Sequence, residues 1–207
     1  MRELDVIELH SQFLGEFGFD FHPSHLMFFK NFPQGKQVIF IHYSEYPEAS
    51  YLEYNLGVRI DRVEEIIHQF LPTLSDYAQR SITLIQKANK IGKGIPARFV
   101  LENDSQLADA IMAAEKFFVS HGFHWMDQMI NPTTLEKAFA DRKERAFSTQ
   151  NFVYYAFRGI TLAKLYNPED YPVLRKIYLD EIKKQGMTPF TIASFLHLLH
   201  YLDNLPD

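Results

Sequence analysis

The sequence predicts an α+β fold: an antiparallel meander of about 3–5 strands packed with helices, followed by an all-helical carboxy-terminal extension. Three observations predict it. Ser50, Leu52, Tyr54, Leu56, Val58 and Ile60 alternate with Tyr51, Glu53, Asn55, Gly57 and Arg59, the period of a strand with one buried and one wet face. Two turn-rich breaks, Asn31-Phe32-Pro33-Gln34-Gly35-Lys36 and Glu45-Tyr46-Pro47-Glu48, set off the apolar runs before it. From Asn131 onward, Asn131-Pro132, Asn167-Pro168 and Thr188-Pro189 each place a capping side chain before a proline at the first helical position.

Each element follows in order. Val6, Leu9, Phe13 and Phe17, joined by Ile7 and Leu14, predict an amphipathic helix over 3–17 that Gly18 ends. A first strand is expected at Leu26–Phe32 and a second at Gln37–Tyr43. The Val38-Ile39-Phe40-Ile41 core of the second predicts cover on both faces. The alternating run at 50–60 is the third. Asp61 is expected to cap a helix with Glu64 completing a capping box, Val63, Ile66, Ile67, Phe70 and Leu71 buried, and Pro72 at its end. Residues 73–103 admit two readings, strands at 81–85 and 97–101 or a helix over 74–90. Asp104 or Ser105 then caps a helix buried along Leu107, Ile111, Ala114 and Phe118 and ending near His121-Gly122. About four helices fill the remainder, one of them closed by Gln185-Gly186. The mixed-sign run Asp141-Arg142-Lys143-Glu144-Arg145 reads as a solvated helix face. The composition shift near Asn131 predicts an α+β region at 1–128 and a helical region at 129–207 packed on it.

Composition narrows the function. The 207 residues suffice for a sizeable core, and 19 Phe and 11 Tyr point to a thick one under a sheet. A net charge of −5 offers no electrostatic attraction to phosphate backbones, so nucleic acid is not an expected partner. Cysteine is absent, which removes disulfides, thiolate nucleophiles and Cys-ligated zinc. No apolar run has transmembrane or signal-peptide character, so a cytoplasmic protein without a membrane partner is expected.

Few patterns carry chemistry. His22/His25, His121/His124 and His197/His200 are each three apart. Two imidazoles at that spacing on a helix share a face and can chelate a divalent cation such as zinc, which makes His121, His124, His197 and His200 the candidate metal ligands, with Asp127 and Asp203 nearby. The ordinary reading of such histidines is an amphipathic boundary residue with one hydrogen bond, and no other cofactor is predicted. His42, Tyr43, Ser44, Glu45 and Tyr46 are too close in sequence to converge as a triad, and no nucleophile elbow is present. Lys87, Lys90, Lys93 and Arg98 flank Gly92 and Gly94, a basic loop that suits an anion but lacks the Walker spacing. The wet face of the third strand, with Tyr51, Glu53, Asn55 and Arg59, carries residue types common at interfaces.

Phe28-Phe29-Lys30, Val38-Ile39-Phe40-Ile41 and Tyr54-Asn55-Leu56-Gly57-Val58 sit in an order of helix, three-strand meander, helix, strands and helix. Over residues 1–128 this order resembles the small α+β domains of unknown function common in bacterial proteins. The resemblance implies no catalytic residues, since such families have none assigned. The favoured expectation is a non-enzymatic interaction or regulatory module that binds a protein through Tyr51, Glu53 and Arg59. The alternative is a metal-binding protein or metal-dependent hydrolase built on the paired histidines.

Overall fold

A computed structural model describes residues 3–71, 75–140 and 152–206; Pro72 and the charged run at 141–145 lie outside them. The fold is α+β, with a six-stranded antiparallel sheet and a helical carboxy-terminal part. Helices α1 (Glu3–Glu8) and α2 (Ser11–Glu16) lead into strands β1 (Asp20–His22), β2 (Met27–Phe32), β3 (Gly35–Glu45) and β4 (Ser50–Ile60). Short helices α3 (Asp61–His68) and α4 (Ser75–Arg80) precede strands β5 (Leu84–Lys87) and β6 (Phe99–Leu101). The strands run in the order β1-β2-β3-β4-β5, and β6 also pairs with β4. Residues 73–103 thus combine the two sequence readings, a short helix followed by two short strands. Strand β1 escaped the sequence reading because three residues are too few to show a period.

Local chemistry sets the joints. The β2–β3 hairpin pairs Phe32 with Gly35 across a two-residue turn at Pro33-Gln34, where proline presets one dihedral. The amino-terminal helix is broken after Glu8. Its buried line is Val6, Ile7, His10 and Leu14, while Leu9 is 53% exposed. Leu9 suits the apolar spacing, but His10 takes the inward place because it finds two partners there. Its Nδ1 lies 3.0 Å from the Val6 carbonyl, which can only accept, so Nδ1 carries the proton. The Nε2 must then accept, from the Tyr54 hydroxyl at 2.8 Å. Burial pushes the His10 imidazole down to about 4 and the Tyr54 phenol well above its ordinary range, so both are neutral.

The chain forms two compact units, Met1–Arg59 with Leu84–Ile130, and Ile60–Thr83 with Asn131–Asp207. The segment at 60–83, expected from sequence in the first region, groups with the carboxy-terminal helices. In the first unit, Phe28, Ile39, Ile41, Leu52, Tyr54 and Leu56 pack under α5 (Asp104–Phe117) and the π-helical turn Phe118–Gly122 that continues it. The chain does not stop at His121-Gly122 but proceeds into α6 (Phe123–Met129), which Gln37 ties to the sheet by donating to Asp127 at 2.9 Å. The cap of α5 is Asn103, one residue before the expected Asp104, accepting from the Gln106 amide at 3.1 Å.

In the second unit, α7 (Pro132–Ala140), α8 (Phe152–Tyr166), α9 (Tyr171–Lys184) and α10 (Pro189–Asp203) bury Phe157, Ile160, Tyr178, Phe195 and Leu198 together with Ile66 and Ile67 of α3. Asn131 and Thr188 cap as expected, accepting from Thr133, Thr134 and Thr191 amides. Asn167 does not. Its amide donates to the buried Glu136 carboxylate and to Asp170, and α9 begins three residues after Pro168. Nor does Asp61 cap α3: Ile60 is the N-cap, its amide is satisfied by Thr83 Oγ1 at 2.9 Å, and Glu64 turns inward to an arginine. Among the described residues no helix is long and apolar enough to cross a membrane.

Candidate interaction face

The sheet turns Phe28, Ile39, Tyr54 and Leu56 to the core, and alternation sends their neighbours to the other side. Residues directly paired across strands point the same way, so Tyr51 stands with Val100 and Gly57 with Ile85. Tyr46, Val100 and Ile85 are 60%, 55% and 49% exposed. The expected residues Tyr51 and Glu53 lie on this open face, half-buried. Arg59 does not serve there: it has the correct parity but is only 8% exposed. Alternation fixes the side a residue takes, not what covers that side, and β4 is buried throughout from Leu56 to Ile60.

Arg98 supplies the cation instead. The β4–β6 register pairs Leu52 with Phe99, and one step further sets Arg98 across from Glu53. Arg98 Nε donates to Glu53 Oε1, and its guanidinium carbon lies 4.9 Å from the Tyr51 ring centroid. That hydrogen bond, with the Glu53 charge behind it, holds Arg98 still more firmly in its charged form. Lys87 Nζ approaches Glu53 Oε2 to 4.0 Å, and Tyr46 meets Tyr51 edge-on at 5.5 Å. His42, Ser44, Tyr46, Tyr51, Glu53 and Arg98 line a 140 Å³ cleft. The sequence cluster at 42–46 is split by the pleat, since Tyr43 faces inward and donates to Ser50 Oγ at 2.9 Å. Sequence reasoning grouped Arg98 with a phosphate loop, because only strand register brings it to a glutamate 45 positions away.

The rest of that loop has other duties. A Cβ on Gly92 would fall 2.5 Å from the His121 ring, so this glycine admits an imidazole rather than an anion. Lys93 lines a separate 390 Å³ cleft with Lys116, Asp109 and Ser120.

The histidine pairs have mixed fates. His121 stacks on Phe117 and lies 2.7 Å from Ser120 Oγ through Nδ1, while His124 meets Gln128 at 3.0 Å. His22 and His25 stack face to face at 4.0 Å. His197 and His200 do share one side of α10 and line a 570 Å³ groove with Phe70, Tyr201, Asn204 and Leu205. Among the described residues no three His, Asp or Glu side chains gather to hold a metal ion. The nearby carboxylates are engaged elsewhere, Asp127 by Gln37 and Asp203 by Tyr171 and Arg175.

One polar cluster in the second unit was not legible in the sequence. Glu64, fully buried, receives Arg158 through Nε at 2.8 Å and Nη2 at 2.9 Å, and His68 Nε2 lies 3.5 Å from it. Burial opposes this charge, but Arg158 and the hydrogen bonds outweigh it and hold the carboxyl at about 2. His68 Nε2 is also 2.8 Å from Ser81 Oγ. Ser, His and Glu in contact invite comparison with a hydrolase triad, but the proton directions oppose it. Ser81 donates to the Ala78 carbonyl at 2.8 Å, so its oxygen accepts from His68 rather than yielding a proton to it. A single ring nitrogen also faces both partners, where a triad uses two. The cluster neutralises a buried carboxylate.

Comparison with protein-family models, with curated proteins and with solved structures finds no match.

Proposed function

We propose that this chain is a non-enzymatic interaction module that binds a protein through the open face of its sheet, around Tyr46, Tyr51, Glu53 and Arg98. The observation that carries the reading is the exposure of Tyr46, just past the end of β3, and of Val100 on β6, beside an arginine stacked on Tyr51 of β4. Tyr and Arg are the residues that most often anchor interfaces, and a sheet presents them with little further loss of freedom on binding. The test is a photo-crosslinking amino acid at Val100 in cells that express the chain. A discrete protein adduct that Tyr46→Ala with Tyr51→Ala removes supports the reading. An adduct indifferent to both changes, or none at all, overturns it.

The paired-histidine alternative retains one supporting observation, the shared groove of His197 and His200. Zinc titration of untagged protein tests it. Binding unchanged by His197→Ala with His200→Ala dismisses the site.

A further inference from the structure

We propose that the Arg98 cleft recognises the carboxylate of an aspartate or glutamate side chain on the partner protein. The proposal rests on the interaction-module reading and names the chemistry of its ligand.

The state of the guanidinium comes first. Arg98 stacks over Tyr51 with its carbon 4.9 Å from the ring centroid, and its Nε donates to Glu53 Oε1. These two contacts fix both the plane of the fork and its rotation. Among the described residues the hydrogen bonding of Arg98 runs through Nε, which leaves the two Nη nitrogens for a ligand. A carboxylate matches such a fork with two parallel bonds, and the ordering cost of a long side chain has already been met within the fold.

The surroundings agree in charge and size. Lys87 and Arg98 both face the single Glu53 carboxylate, one positive charge more than it offsets, while Glu45, Glu48, Glu102 and Asp104 line the next cleft on the other side of Tyr46. A cationic group would be repelled by Lys87 and Arg98, and an anionic one complements them. The Ser44 hydroxyl and the His42 ring line the same cleft and can add hydrogen bonds to a bound oxygen. Its 140 Å³ is well below the roughly 300–1,000 Å³ of a small-molecule pocket, and suits one side chain delivered by a larger surface. The exposed part of the Tyr46 ring beside it offers that surface an apolar contact. A phosphate dianion is disfavoured by the neighbouring Glu53 charge, whereas a monoanion is offset by Lys87.

The test follows the Arg98 Nε–H resonance while three probes are titrated: N-acetylglutamate α-amide, its glutamine counterpart and N-acetylphosphoserine amide. A saturable shift is expected with the glutamate compound alone. Arg98→Lys, read from the backbone amides of Tyr51 and Glu53, should bind at least about tenfold more weakly, because an ammonium keeps the charge and loses the fork. Arg98 is largely exposed, so the variant folds. An equal response to glutamine, a stronger one to phosphoserine, no saturation, or undiminished binding by Arg98→Lys overturns the proposal. Failure here leaves a crosslinked adduct at Val100 standing, whereas failure of the module reading removes the adduct and leaves the titration unaffected.

Discussion

The two compact units bury polar groups by opposite means. The sheet unit buries a neutral pair, His10 and Tyr54, in which each available proton has one acceptor. The helical unit buries a charge, Glu64, and must surround it with a bidentate arginine and a histidine. The difference lies in what each group loses on leaving water. A neutral imidazole gives up a few hydrogen bonds that one carbonyl and one hydroxyl replace. A carboxylate gives up far more, and only an opposite charge at hydrogen-bond distance offsets it.

Breaking the charged pair should have the largest effect. Arg158→Ala removes the charge that offsets the burial of Glu64 and should cost about 3–5 kcal/mol, read as a lower urea midpoint. Replacing both partners with Met and Leu should recover most of that loss. If the double replacement is no better than Arg158→Ala, the buried charge is not what the single change exposes.

Acid separates the two devices. His10 titrates near 6.5 in the unfolded chain and at about 4 when folded, so between those values the unfolded chain binds the extra proton. Its contribution is complete above pH 6.5 and is lost as pH falls toward 4, a loss on the order of 3 kcal/mol. Glu64 is ordinarily near 4.5 and is held at about 2 in the fold, so its contribution is complete above pH 4.5 and fades toward pH 2. Urea melts at half-unit pH steps should therefore show His10→Gln flattening the upper window and Glu64→Gln the lower. A single window removed by both variants would contradict the separation.

Packing in the helical unit gives the next effect. A Cβ at Gly159 would lie 2.5 Å from the Tyr178 hydroxyl and 2.9 Å from its ring carbon. Gly159→Ala should cost about 1–3 kcal/mol by thermal denaturation, and adding Tyr178→Phe should recover only part, because the ring remains too close. In the sheet unit, Tyr54→Phe leaves His10 Nε2 without a donor in a dry site. A loss of about 1–3 kcal/mol is expected by urea denaturation at neutral pH. The smallest effect belongs to the open face: Arg98→Ala should leave stability within about 0.5 kcal/mol in urea denaturation, because the side chain is largely exposed and its ion pair lies in water.

Particular residues show how far the sequence reached. The run at 50–60 is strand β4 at both ends as predicted, because a period of two over eleven residues admits few alternatives. Asn131 and Thr188 cap the helices expected of them, since capping depends on neighbours within one turn. Tyr51 and Glu53 were legible as members of the open face for the same local reason. Arg98, the residue that completes it, was not, because its place depends on the β4–β6 register. Arg59 failed in the opposite sense: its side of the strand was correct and its cover was not. The Glu64–Arg158 pair joins residues 94 positions apart and leaves no periodic trace.

By itself the sequence determined the α+β class, the antiparallel meander from β2 to β4 with its two turns, and the caps at Asn131 and Thr188, all governed by interactions within a few residues of each other. Tertiary structure alone decided which helices share a core with α3, which polar groups are buried neutral or charged, and which cation meets Glu53. Those outcomes depend on pairing distant segments and on the water excluded between them, quantities that no local pattern encodes.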